Sequence, residues 1–475
     1  MSKKGDIVRI DHPVVQKKIN KSLKLSIREG SAASVSSSFG LSYLSPFALA
    51  LNATAAQMGI LHAIIGLLPS LVQLKSSVLL EKFSRKKIIL WGLLAQILLW
   101  VPIILVGVLF YMGVPHMVWI LIALIGFLYS FGAIVHPAWF SWMGSLVPEE
   151  KRGEYFSKRN RVAGSFGLIA IVIGAIILDS TKKIGAGGDV LGYTLLGFGI
   201  IFAFGALARF YSWTLLARQY EPRLKVRKKD EFSFWQFLKM APSTPFGRFA
   251  LFRGLFSAVV GIASPFWVVY MLRDLGFSYT WYMMIIVSAI VFQLMFLPLL
   301  GKFSDRFGNI KLLKVCSWLI IAAPLLWIGS IFIEGDLAIK LYLLIAPQIV
   351  SGFAWAGYNL AANNYVYDAV HQEKRGFGLC YMNLIVGVGL FIGASLGSLL
   401  VWIDVSFMNP LLFVFAVSAV GRLLIAAIGT RYLKEVRHVK KFSSYYLIRE
   451  FGPMRGITRE VHSLEHLVKK VEHYI

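Results

Sequence analysis

The 475-residue chain has only two cysteines, Cys316 and Cys380, each inside an apolar stretch and far from the other, so a disulfide framework has no support and both read as packing residues. Acidic residues are scarce too. Against 49 Lys and Arg stand 24 Asp and Glu, a formal net charge of +25, which would ordinarily raise nucleic acid as a partner. The cations, however, sit in short clusters between apolar runs, as expected of loops that meet anionic lipid, and nucleic acid is set aside. The first thirty residues lack an apolar core followed by a small-residue cleavage site, so no cleavable signal peptide is read there. Also missing are an HExxH sequence, a nucleophile elbow, a pair of in-span carboxylates and a phosphate-binding P-loop, which argues against an enzyme and against ATP-driven pumping. No metal or cofactor is called for.

What the chain has in abundance is apolar sequence: 57% of its residues are hydrophobic and only 15% charged, the balance of a membrane protein. Runs long enough to cross roughly 30 Å of hydrocarbon are read at 33–52, 56–80, 88–111, 117–142, 162–180, 192–217, 249–272, 280–300, 312–333, 338–362, 377–402 and 409–431. Alternate loops are basic: Lys82, Arg85, Lys86 and Lys87; Lys151, Arg152, Lys158, Arg159 and Arg161; Lys302, Arg306, Lys311 and Lys314; Lys374 and Arg375. The others are short and nearly neutral. The positive-inside rule therefore predicts a multi-pass protein with both termini cytoplasmic, most simply in the plasma membrane. The expected units are a cytoplasmic tail at 1–29, a six-helix bundle at 30–217, a cytoplasmic linker at 218–248, a second bundle at 249–432 and a tail at 433–475. In the linker, "FSFWQFLKM" is amphipathic and suits the membrane surface. In the tail, Ile457, Val461, Leu464, Val468 and Val471 form a helical stripe.

The two bundles repeat each other. "LSPFALA" answers "ASPFWVV", placing Ser45 against Ser264; Gln73 answers Gln293; Lys82, Phe83 and Ser84 answer Lys302, Phe303 and Ser304; "EEKRG" answers "QEKRG". Arg209 and Arg218 answer Arg422 and Arg431 with the same internal spacing. The offset drifts only between 213 and 223, as loop-length differences would make it drift, so the chain is read as a duplicated six-span unit. Parallel duplication of this kind is associated with alternating-access transport.

Between the second and third spans of the second unit stand Gly301, Lys302, Phe303, Ser304, Asp305, Arg306, Phe307 and Gly308. They resemble the cytoplasmic loop signature of the major facilitator superfamily, which runs Gly, basic, apolar, small, Asp, Arg, aromatic, Gly and then two basic residues. Asn309 and Ile310 depart from the closing basic pair. The resemblance covers residues 30 to 432 and implies an all-α membrane protein of twelve transmembrane helices in two pseudo-symmetric six-helix bundles. It also implies a cytoplasmic latch, in which Asp305 faces the N-terminus of the fifth span, where unpaired N–H groups and the helix dipole favour a carboxylate. Arg85 stands where the first unit would need that aspartate. Glu81, one turn earlier, either supplies the missing carboxylate or forms an ordinary (i, i+4) pair with Arg85. Gly308, Arg152 and Arg375 complete the expected gate.

The resemblance further implies that spans 1, 4, 7 and 10 line a central cavity. Ser38, Tyr43, Tyr129, His136, Trp267, Tyr270, Trp355 and Asn359 are the candidate solute contacts there. Span 1, "SAASVSSSFGLSYLS", suits close packing as much as a wet lining. No carboxylate is read inside a span, which leaves the coupling ion, H⁺ or Na⁺, open. The superfamily's arginine signature in span 4 and glycine–proline signature in span 5 are absent. The expected function is a monomeric secondary transporter of a small solute; a receptor or scaffold that kept the fold is the alternative.

Overall fold

The computed structural model describes residues 13–75, 79, 82–147, 152–222, 233–370, 375–403, 406, 408–437 and 439. The helical stripe expected at Ile457 to Val471, the basic run in the linker and Glu81 lie outside them. The first half comprises α1 (Pro13–Phe39), α2 (Leu44–Ala50), α3 (Ala55–Gln73), α4 (Arg85–Tyr111), α5 (Met117–Leu146), α6 (Arg152–Gly185) and α7 (Val190–Ala217). A short α8 (Phe234–Met240) leads into the second half, α9 (Pro245–Ala263), α10 (Phe266–Val269), α11 (Tyr279–Phe307), α12 (Asn309–Ile328), α13 (Asp336–Ala369), α14 (Arg375–Leu400) and α15 (Pro410–Gly429). Among the described residues, eleven helical segments are long and apolar enough to cross a membrane. The remaining span is the interrupted, serine-rich pair α1 and α2.

Local chemistry starts these helices. The Thr54 and Gln57 side chains form a capping box at α3, Ser84 and Ser278 cap α4 and α11, and Thr244 precedes Pro245 at the first position of α9. The repeated Ser-Pro-Phe marks the same interruption twice. In span 1 a short 3-10 turn, Leu41–Tyr43, precedes α2, and in span 7 the helix breaks at Ser264 and Pro265 before a π-turn, Tyr270–Asp274. Gly308, at φ 97°, makes the tight joint between α11 and α12.

The first span differs from its expected bounds, since its helix begins at Pro13 instead of near 33. Ile19, Ser22, Ser26, Glu29 and Gly30 recur at helical spacing and are buried, while Lys17, Lys18, Lys21, Lys24 and Arg28 stay exposed. The buried stripe is small and polar, so hydrophobicity alone does not reveal it.

The core shows how the halves meet. Call the ends of the bundle that carry the basic loops the basic face and the other the neutral face. Toward the neutral face one apolar cluster runs across both halves, joining Tyr43, Phe47, Phe198 and Phe202 to Phe266, Tyr270, Trp327 and Phe415. Toward the basic face there are two. One belongs to the first half, with Ile89, Leu93, Trp142 and Leu216; the other belongs to the second, with Phe249, Phe256, Phe303 and Tyr365. Leu74 alone of the first half is packed against the latter. Among the described residues, therefore, the halves share one apolar core at the neutral face and have separate ones toward the basic face.

Candidate functional site

The closed end is held by polar contacts that only the tertiary structure brings together. Asp179, near the neutral end of α6, accepts hydrogen bonds from the backbone N–H groups of Tyr279 at 2.9 Å and Thr280 at 2.8 Å, in the first turn of α11. A carboxylate here satisfies orphan helix donors and complements the dipole. Lys182 and Phe198 flank the ring of Tyr279, at 5.9 and 5.6 Å. A second tie runs from the Arg273 guanidinium, which donates to the Ala53 carbonyl between α2 and α3. Between these ties α3 lies along α14, with Gly59 beside Ser398, Gly66 beside Leu390, and Gly387 beside Ser70. Small residues let the two backbones approach. At the basic end of this seam the Asn383 amide donates to Gln73 Oε1 at 3.4 Å.

The absence of an in-span carboxylate is corrected by Glu29, which is 3% exposed inside the first half. Arg159 of α6 donates to its Oε2 at 2.9 Å and Ser212 of α7 to its Oε1 at 3.1 Å. The Arg159 guanidinium also donates to the Ser26 carbonyl and stacks 4.5 Å from the Trp139 ring. Three helices thus meet on one carboxylate, and pairing offsets its desolvation. In sequence the glutamate falls at the end of the basic tail read at 1–29, where hydropathy does not mark it.

The expected cavity residues divide. Tyr43 is fully buried, its hydroxyl donating to the Ile171 carbonyl at 2.5 Å, and Ser38 is buried beside Gly167. Tyr270 is buried and shares a hydrogen bond with Ser330 at 2.8 Å; Trp267 stacks on Phe415 at 3.9 Å. These four lie within the joined neutral-face core or its edge. Tyr129, Trp355 and Asn359 are half-buried, and His136 is exposed. Trp355 packs 5.5 Å from Tyr358. The repeat arginines are held inside: Arg209 donates to Gln96 Oε1 at 2.9 Å and Arg422 to the Ile320 carbonyl at 3.1 Å.

With this geometry in hand, a family model described as the Major Facilitator Superfamily matches residues 30–263 and 249–446. The chain belongs to this superfamily. It is a secondary membrane transporter, spanning the bilayer many times. No curated relative matches the sequence. Solved structures of similar fold include the nucleoside transporter NupG, at 16% identity and a TM-score of 0.59 over 87% of this chain and 99% of that one. A D-xylose-proton symporter aligns at 14% identity and 0.64, over 90% and 100%. A bacterial homologue of the iron transporter ferroportin, in an inward-facing state, aligns at 15% and 0.57, over 90% and 100%. At these identities the likeness is one of fold.

The superfamily loop is folded differently in the two halves. In the second, Asp305 and Lys302 are exposed, and Gly301 has open space around it. Asn309, where the signature has a basic residue, is buried; it accepts from Ser304 and donates to Asp368 of α13 at 2.6 Å. Glu435, after α15, accepts from the N–H of Ile310 at 2.8 Å, and Arg437 donates to the Ser304 carbonyl at 2.9 Å. In the first half Arg85 is 2% exposed and donates to Ser145 Oγ at 2.7 Å and the Pro222 carbonyl at 2.6 Å. It lies 3.5 Å from the carboxylate of Glu221, which also accepts from the Lys86 N–H at 3.3 Å. A glutamate following the sixth and the twelfth span thus caps the third and the ninth, a repeat that loop signatures alone do not display. Arg152 and Arg375 begin α6 and α14; their side chains, like Glu81, lie outside the described residues.

Proposed function

We propose that this transporter moves a small solute by rocking its two halves about a central site, and that the conformer described is open to the cytoplasm. The observation that carries this is the core itself, continuous at the neutral face and divided at the basic face. The basic face is assigned to the cytoplasm from its loop charges, with both termini on that side and the plasma membrane as the setting. Units 30–217 and 249–432 rock, and 218–248 is the link that lets them. The Asp179 clasp at the neutral face has the chemistry assigned by sequence to Asp305 at the basic one: a carboxylate against a helix start in the other half. In the opposite conformer Asp305 meets the start of α6. Lys302, Arg306, Gly308, Arg152 and Arg375 shape that closure, and His136, Tyr129, Trp355 and Asn359 face the solute before it forms. A monomer suffices for such a cycle.

The test is a cysteine at Ser165, exposed on α6, labelled with a membrane-impermeant maleimide in oriented liposomes. Labelling should come from the basic side and fall when a transported solute is added; Asp305→Asn should blunt that fall and slow uptake. Labelling from the neutral side, or uptake by no solute in a broad panel, would sink the proposal.

A further inference from the structure

We propose that Arg253 is the anion-recognising group of the central site and that the solute carried is a small organic anion, an inference that rests on the transport reading above. Helix α9 buries two faces. Gly254 and Gly261 lie against Ile385 and Leu390 of α14, while Phe249 packs on Tyr365 and Phe256 stacks on Tyr358 of α13. Arg253 projects between these faces. Its Nη1 reaches Met382 Sδ of α14 at 3.8 Å, and its guanidinium carbon lies 5.8 Å from the Tyr358 ring centroid. Neither contact answers its charge. The Arg253 Nε and the Tyr358 hydroxyl are both buried and have no hydrogen-bond partner.

No carboxylate forms an ion pair with Arg253 among the described residues. Helices α9 and α14 contain no acidic residue at all. In α13, Asp336 pairs with Lys340 at one end and Asp368 receives Asn309 at the other. Of the other in-span arginines, Arg159 has Glu29, Arg209 has Gln96 and Arg422, enclosed at 3% exposure, has a carbonyl; Arg248, nearer the start of α9, shares with Arg253 a buried Nε that has no partner among the described residues. Arg253 is only half-buried. A guanidinium is a permanent cation whose planar fork matches a carboxylate or phosphate, and an unpaired one within a span is costly to keep. No described residue supplies the anion that would balance it. Trp355, packed on Tyr358, offers an apolar wall for the body of such a solute.

The experiment measures thermal stabilisation of the purified protein in phosphatidylcholine nanodiscs by benzoate, lactate, succinate and glycerol 3-phosphate, beside the uncharged benzamide, xylose and uridine. At least one anion should stabilise the protein, and benzamide should not. Arg253→Gln should weaken that anion by about tenfold or more, and Arg253→Lys by less. If Arg253→Gln fails to fold, the preference of the unaltered protein for anions over neutral solutes still decides. Stabilisation by no anion, or equal affinity in Arg253→Gln, overturns the assignment. So does stabilisation only by added phosphatidylglycerol, which would give the site to a lipid headgroup. Uptake by liposomes separates the two readings: an anion that binds but never crosses refutes transport and spares the site, whereas neutral solutes that cross while no anion binds refute the site and spare transport.

Discussion

At the scale of single residues, the charges that matter are those whose partners lie far away in sequence. Glu29 is tied to Arg159 and Ser212, so Glu29→Ala leaves a buried guanidinium without its counter-charge. Removing one partner of such a pair costs roughly 3–5 kcal/mol; a clear drop in melting temperature should follow, with a smaller one for Glu29→Gln. Asp179 is half-buried, and its two bonds to the start of α11 favour the closed neutral face by up to about 2 kcal/mol. Asp179→Ala should therefore shift molecules toward the conformer open at the neutral face, seen as raised maleimide labelling of a cysteine at Gly199 from that side. Neither partner set was legible in the sequence. Glu29 sits in a run of lysines that reads as solvated, and Asp179 reads as an ordinary helix end until α11 is laid against it.

At the scale of elements, the twelve apolar runs were legible, because hydrocarbon thickness sets helix length; the Ser-Pro-Phe motif was legible as a repeat but not as a break in each helix. Helix α1 was legible only in its last part. Its buried stripe of serine, glycine and glutamate packs on helices rather than on lipid, and packing of this kind leaves little hydrophobic signal. The seam of α3 and α14 works by the same means, with glycines admitting a neighbour's backbone. Gly387→Leu would drive a side chain into Ser70 and the Gly66 carbonyl. The expected outcome is a protein that still inserts but whose uptake rate falls by about tenfold or more, since the halves no longer close along that seam; an unaltered rate would show the seam to be slack.

At the scale of the whole molecule, the duplication read from the offsets is realised as repeated contacts. Arg209 and Arg422 each reach from the sixth helix of a half to the third, and Glu221 and Glu435 each cap that third helix. The asymmetry is equally physical: Arg85 is locked into its own half, while Asp305 is exposed. Spin labels at Lys158 and Lys302, both exposed near the basic face, should approach each other when a transported solute is added. A constant distance would mean that the halves do not rock.

What the sequence by itself determined is the count of spans, their division into two like halves and the side on which the positive loops gather. These follow from hydrophobic length and charge, which act locally as each segment enters the membrane. Only the tertiary structure decided which carboxylates are buried, which helix ends they cap and which face of the bundle is shut. Such pairings depend on the free energy of placing two distant groups in one low-dielectric site, and nothing in either segment alone records it.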